Sequence, residues 1–243
     1  RDIETINLEL IFADLETVNK KIDSAKKKIK ADKKFEAELN LYEKIKTALE
    51  AGKSARMLEY NEEELEILKD AYLLTLKPIL YIANVSEAQL SNPFEDEKVK
   101  QVVEYAKEEK AEVIPLCVKI EEELSSLEGD DKKEMLDALG LGESGLDKVI
   151  KASYSLLGLM SFLTAGEQEV RAWTIKKGTK APEAAGKIHS DIERGFIRAE
   201  VVSYDDLIRE GSMVAAKEKG LVRSEGKDYI MQEGDIVLFR FNV

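Results

Sequence analysis

The apolar run from Pro78 to Ala83 stops at Asn84, and a carboxylate, Glu87, follows three residues later. An amide and a carboxylate at that spacing, on the end of a buried strand, can read the hydrogen-bonding groups of a nucleotide base. The spacing alone says little. Asn40 with Glu43, Asn61 with Glu64 and Asn92 with Glu95 all repeat it. For each, the plain alternative is a turn, or a helix N-cap with an acid nearby. Only the copy at Asn84 follows a strand-like run, and that context is the whole of its specificity. The loop Gly-x-x-x-x-Gly-Lys-Ser/Thr, which cradles phosphates, occurs nowhere in the sequence. A base-reading half-site without a phosphate-binding half is expected of the later portion of a nucleotide-binding protein.

Other chemistry is sparse. One cysteine, Cys117, and one histidine, His189, cannot assemble a zinc site, and no Ser/His/Asp or Cys/His arrangement can be assigned. Cys117 lies in an apolar run, where a small buried core residue is the plain alternative. Disulfides are not part of the design, so a reducing, cytoplasmic setting is expected. No apolar run approaches the ~20 residues of a membrane span, and no signal-peptide pattern opens the chain. No membrane partner is therefore expected.

The net charge of −12 repels nucleic acid on average, and no DNA sequence specificity is expected. The average hides an asymmetry. From Lys20 to Lys34 eight lysines stand against two aspartates, a local excess of +6. The cluster is Lys20, Lys21, Lys26, Lys27, Lys28, Lys30, Lys33 and Lys34. It reads either as a phosphate-contacting patch or as the solvated surface of an arm.

The elements that would hold these groups follow from periodicity. Ile11, Leu15, Val18, Ile22, Ala25 and Ile29 form a heptad-like seam, and Phe35, Leu39, Tyr42, Ile45 and Leu49 a second. Gly52 is a plausible helix stop. An antiparallel hairpin is expected, each arm ~20 residues and ~30 Å long, with the lysines at its tip. Residues 54–150 alternate, with a helix over 62–70, a strand over 77–83 and a helix over 95–109. A strand over 112–118, acidic helices to Leu139 and a helix over 146–157 follow. That order suits the last part of a parallel α/β sheet.

From Phe162 the texture is β-rich. Strands are expected over 169–175, 196–202, 229–231 and 236–241, with helices over 182–195 and 204–209. Trp173 is expected in the core of the first of these strands, and His189 within the first helix as a packing or surface residue.

Several longer stretches carry a resemblance. Arg1-Asp-Ile-Glu-Thr-Ile, Leu76-Lys-Pro-Ile-Leu-Tyr-Ile-Ala-Asn-Val-Ser-Glu87 and Phe162-Leu-Thr-Ala-Gly-Glu-Gln-Glu-Val-Arg-Ala-Trp-Thr-Ile175 are three of them. Ala184 to Asp191, Arg194 to Ala199, Glu225 to Ile230 and Phe239 to Val243 are others. Together they are similar to the YchF-type, Obg-like ATPases of the translation-factor-related P-loop proteins. The resemblance spans essentially the whole chain. It implies an α/β plus α plus α+β protein: the C-terminal remnant of a P-loop nucleotide-binding domain, an inserted antiparallel helical hairpin (coiled coil) and a ubiquitin-like β-grasp TGS domain. The implied divisions are 1–57 for the arm, 58–159 for the nucleotide-binding part and 160–243 for the TGS domain.

The family implies ATP as ligand, in preference to GTP, and the ribosome or ribosomal RNA as partner. Its Ras-like relatives read guanine with Asn-Lys-x-Asp, and here Val85 and Glu87 replace the Lys and the Asp. Asn84 would bond the purine N7. An Asp at the fourth position would accept from guanine N1–H and its amine, whereas Glu87 can turn away and spare adenine. Val85 offers backbone to the adenine edge. The implied base site is Asn84, Val85, Ser86, Glu87, Cys117 and Val118, the last two in the loop Cys117-Val118-Lys119 that closes over the base. Ribosome contact falls to the Lys20–Lys34 cluster and to Lys176 and Lys177, with Lys180, Lys187, Arg194 and Arg198 as further candidates. Mg²⁺ and hydrolysis are expected only with a preceding P-loop region, so this chain alone is expected to be inactive. The other readings are a non-catalytic ribosome- or RNA-binding module and a protein-interaction scaffold built on the hairpin.

Overall fold

The computed structural model describes residues 1–29, 35–166 and 169–242. Lys30, Lys33 and Lys34, expected at the tip of the arm, lie outside the described residues. The chain divides into two units, Arg1–Gly145 and Leu146–Val243.

In the first unit, helices α1 (Asp2–Ile29) and α2 (Glu36–Glu50) pack along the expected seam. Ile11, Val18 and Ile22 are buried with Leu41, Tyr42, Ile45 and Leu49, and Leu15 and Leu39 pack against them at partial burial. Apolar residues at intervals of three and four keep one stripe turned toward the partner helix. The arms are not equal, as a simple hairpin would have them: α1 has 28 residues and α2 has 15. The first turns of α1 reach a different neighbour, α4 (Glu97–Glu108), where Asn7 Nδ2 donates to the Tyr105 hydroxyl at 2.9 Å.

Gly52 stops α2 as expected, with φ at +75°. Its N–H reaches Leu49 O, and the Lys53 N–H reaches Ala48 O, both at 2.9 Å. This double closure needs a left-handed residue, which glycine supplies without a Cβ clash. The same closure ends α4 with Lys110 in the left-handed position, φ +55°, and Ala111 N–H bonded to Ala106 O at 2.9 Å.

Strands β1 (Leu80–Asn84) and β2 (Glu112–Leu116) pair in parallel, Leu80 opposite Glu112 and Asn84 opposite Leu116. Helix α4 makes the crossover between them. A short helix α3 (Glu62–Leu68) precedes β1, and α5 (Val118–Ser125) and α6 (Gly129–Ala138) follow β2. Of the boundaries that differ from the sequence reading, three bear on the site. β1 starts at Leu80 rather than Lys77, since Pro78 has no N–H for a ladder. α4 starts at Glu97 rather than Glu95, because Asp96 caps it by accepting from Lys98 N–H and Val99 N–H at 2.8 and 3.1 Å. β2 stops at Leu116, and Val118 opens a helix instead of closing a strand.

In the second unit, α7 (Gly145–Leu156) leads into a five-stranded sheet of order β4-β3-β7-β5-β6. Its strands are β3 (Leu159–Ala165), β4 (Val170–Lys176), β5 (Phe196–Ser203), β6 (Arg223–Glu225) and β7 (Asp235–Phe241). β3 and β7 run parallel, and the other pairs are antiparallel. Helix α8 (Ala181–Ile188) lays Ala181, Ala184 and Ala185 on Phe162, Ile175 and Phe239, which gives a β-grasp core.

The sequence reading does not separate β3 or β6, nor the helix α11 (Met213–Glu218) that follows α10 (Tyr204–Glu210). The expected strand over 229–231 is only a single bridge, Lys180 to Ile230. Its neighbours serve a turn instead: the Tyr229 hydroxyl and Gln232 N–H both donate to Asp235 Oδ2. The helix expected over 182–195 is two, because His189 is extended (φ −161°) and starts α9 (Ser190–Arg194) by accepting from Asp191 N–H at 3.1 Å. His189 is therefore a helix cap rather than a mid-helix residue. Trp173 lies on the core face, half-buried, and donates its indole N–H to Thr164 at 2.9 Å.

Candidate base-reading site

Asn84 is the last residue of β1, and its amide is fixed across the strand end. The Val118 N–H donates to Asn84 Oδ1 at 3.2 Å. Val118 is the first residue of α5, and Cys117 before it provides no side-chain cap. Asn84 thus satisfies one of the orphan donors of α5 from another strand. A backbone N–H can only donate, so the amide oxygen must face it, leaving Nδ2 as the donor that a ligand would meet. One residue on, the Val85 N–H donates to Leu116 O at 2.9 Å, extending the β1–β2 ladder, and its side chain is buried.

Ser86 turns the chain. Both its N–H and its hydroxyl donate to Gln89 Oε1, at 2.9 and 2.7 Å. Gln89 Nε2 in turn donates to Asp96 Oδ2 at 2.6 Å. Hydrogen bonds hold the Asp96 carboxyl below its usual range, the Val99 N–H first among the causes that lower it. The open cleft beside this chain, about 380 Å³, is lined by Ala83, Asn84, Val85, Gln89, Asp96 and Val99 among others. Sequence reasoning missed Gln89 and Asp96. The one local signal was an aspartate just ahead of an amphipathic helix.

Glu87 is exposed, and its carboxylate lies 3.9 Å from Lys119 Nζ. An open pair at that distance contributes at most about 1 kcal/mol. It marks a direction: the carboxylate faces the next loop. Cys117 is buried with Ile120 and Leu124 against Leu90, Met135, Leu136 and Leu139, so its thiol belongs to the core. Val118 is exposed. The structure thus brings Asn84, Val85, Ser86, Glu87 and Val118 to one strand end, with Cys117 present there through its backbone.

The basic residues are less uniform. Lys20, Lys26, Lys27 and Lys28 are exposed on α1. Lys21 Nζ donates to Asp70 O at 3.0 Å, Lys26 lies 3.3 Å from Glu43, and Lys28 sits over the Phe35 ring. In the second unit Lys176 and Lys177 are exposed where β4 ends. Lys180, Arg194 and Arg198 are drawn into local pairs with Asp228, Asp191 and Glu200.

The family model YchF-GTPase_C, described as a protein of unknown function, matches residues 159–242. A Bacillus subtilis protein named ribosome-binding ATPase YchF is 58% identical over 243 residues, covering 100% of this chain and 66% of the relative. The Pasteurella multocida protein of the same name is 48% identical over 244 residues, with the same coverage. The solved structure of the Schizosaccharomyces pombe YchF GTPase superposes with a TM-score of 0.86 at 33% identity, covering 99% of this chain and 65% of that one. The chain spans about two thirds of the length of the curated relatives it matches, 66%. With sequence similarity from end to end, and with the parallel strand pair, the helical hairpin and the β-grasp sheet all in place, the chain belongs to the YchF-type, Obg-like family of P-loop NTPases.

Proposed function

We propose that this chain is the base-reading and ribosome-docking part of a cytoplasmic, ribosome-associated P-loop ATPase. The observation that carries the nucleotide reading is the Asn84–Val118 hydrogen bond. It presets the amide so that Nδ2 can donate to purine N7, an acceptor that adenine and guanine share. Discrimination then falls to the neighbours. The Val85 N–H is committed to Leu116, so pairing through Val85 uses its carbonyl. A carbonyl accepts from the adenine amine and opposes the guanine carbonyl. Glu87, facing Lys119, is turned away from a role as guanine reader.

Among the described residues no group of three or more His, Cys, Asp or Glu side chains is placed to hold a metal ion. We assign no Mg²⁺ ligand among them, and read the residues at the end of β1 as base contacts on the strength of the Asn84–Val118 geometry. When bound, Mg²⁺ would neutralise phosphate charge. No helix among the described residues is long and apolar enough to cross a membrane.

Competition between ATP and GTP, in the polypeptide extended to the relatives' length, tests the base reading. ATP should displace a fluorescent nucleotide at lower concentration than GTP does, and the reverse order would overturn it. The exposed lysines of α1 support the docking half. Reversing Lys26, Lys27 and Lys28 to Glu should weaken co-sedimentation with ribosomes about tenfold or more at low salt and flatten its salt dependence. Unchanged binding would remove the arm from the contact. Ribosome binding that survives when nucleotide binding fails would favour the non-catalytic binding module.

A further inference from the structure

Below the base-reading end of β1 the first unit buries a continuous polar cluster. Its centre is Glu109, at the end of α4, whose side chain is 5% exposed beside Arg56 at 8%. Glu109 Oε1 accepts from Arg56 Nη2 at 2.8 Å and from Asn7 Nδ2 at 3.3 Å. Its Oε2 accepts from the Tyr81 hydroxyl at 2.6 Å. Arg56 Nη1 continues to Thr75 O at 3.3 Å. Thr75 is fully buried and donates its N–H and hydroxyl to Asp14 Oδ2 at 2.7 and 2.6 Å. Leu74 N–H fills Asp14 Oδ1 at 2.8 Å. Asn7 and Asp14 belong to α1, Tyr81 to β1 and Glu109 to the end of α4, so one hydrogen-bonded path joins the arm to the strand that ends in Asn84.

Stability alone is a poor reason for such a cluster. Burying two charges is expensive, and apolar residues of similar volume commonly serve as well. Arg56 Nε is buried there without a hydrogen-bond partner among the described residues, yet the bonds that are made favour one arrangement of the members, since breaking any of them leaves a further buried group unpaired. Lys110 supports the same view. Its left-handed backbone closes α4 tightly behind Glu109, in a place where glycine would be the unstrained choice. Tyr81 precedes Asn84 by three residues, about 10 Å along a strand. A change in the pose of β1 at the base must therefore move the Tyr81 hydroxyl against Glu109, or be resisted by it.

We propose that Tyr81, Glu109 and Arg56 are positioning residues that pass a change in β1 at the base to α1, without themselves setting the affinity for the base. The proposal rests on the base-reading role of Asn84, so its test keeps the two apart. The probe is a non-hydrolysable ATP analogue with Mg²⁺, added to the polypeptide of the relatives' length. Its Kd and the amide exchange of residues 2–22 are read in parallel. In the parent protein the analogue should slow exchange in this stretch by about fivefold, the scale of an ordinary coupling between sites. In Tyr81→Phe and Glu109→Gln that response should vanish, while the analogue Kd stays within about threefold, below the scale of an ordinary coupling between sites. Tyr81→Phe deletes one hydroxyl and carries the test if Glu109→Gln does not fold.

A response that persists in the Phe variant would overturn the proposal. So would a parent protein that binds the analogue with no response in α1, and base reading would then stand alone. Failure of the parent to bind the analogue would overturn the base reading and this proposal together.

Discussion

Asn61 and Asn84 each stand three residues ahead of a glutamate, and the molecule uses the two pairs in opposite ways. At Asn61 the pair closes on itself. Asn61 Oδ1 accepts from Glu64 N–H, and Glu64 Oε2 accepts from Asn61 N–H, both at 2.8 Å. That capping box satisfies two donors of α3 and leaves little for a ligand. At Asn84 the same spacing stays open. The amide oxygen is spent on a different element, and Glu87 turns toward Lys119. Asn40 lies inside α2, and Asn92 leads into a single turn at Pro93. What separates the four copies is the element each one ends or begins. A strand end aims its amide past the sheet, and a helix start folds it back.

The sharpest way to break this contrast is Asn84→Ala. It should weaken binding of an ATP analogue to the polypeptide of the relatives' length by about tenfold or more, the loss of one or two hydrogen bonds at roughly 1.4 kcal/mol per decade. Titration calorimetry would show it, and an unchanged Kd would make Asn84 only a cap for α5. Next in size is Glu87→Asp, which should move preference toward GTP by about fivefold, the scale of one partly solvated hydrogen bond. Competition assays read this ratio directly. Asn61→Ala should leave both nucleotide affinities alone and cost about 1 kcal/mol of stability through the lost cap, visible as a lower urea midpoint.

The smallest effect is one of pH. The Asn61 N–H first, then Lys44, lowers the Glu64 carboxyl below its ordinary value. A depressed carboxyl stabilises the fold above its unfolded value of about 4.3, and that contribution fades as pH falls through the lower folded value. The urea midpoints of the parent and of Glu64→Gln should therefore differ at pH 6 and converge in acid. A gap that widened in acid would contradict the assignment.

Much of this was legible where the signal is local. The hairpin follows from the spacing of Ile11, Val18 and Ile22 against Tyr42, Ile45 and Leu49. Gly52 marked its helix end, and an apolar run before Asn84 marked the strand. The remainder depended on distant partners. Val118 is β-branched and continues an apolar run, so it reads as strand, yet Asn84 reaches over and makes it the start of a helix. His189 divides a helix three residues after Gly186, and neither Gly nor Pro stands at the break itself. Arg56 and Glu109 are 53 residues apart, and nothing in either neighbourhood says that they meet. After Phe162 the order of strand, helix and several strands suggests a β-grasp, but β6, with only three residues, carries too little pattern to stand out.

The strand order of the second unit has a consequence for how it is made. β7 lies in the middle of the sheet, pairing with β3 on one side and β5 on the other. Until residues 235–241 have been synthesised, the two halves have no shared backbone to join them, and Phe162 and Phe196 lack the ring of Phe239 between them. The sheet of this unit cannot be completed progressively as the chain is translated. It must wait with two open strand edges, which makes its late folding, rather than its finished stability, the step most exposed to aggregation.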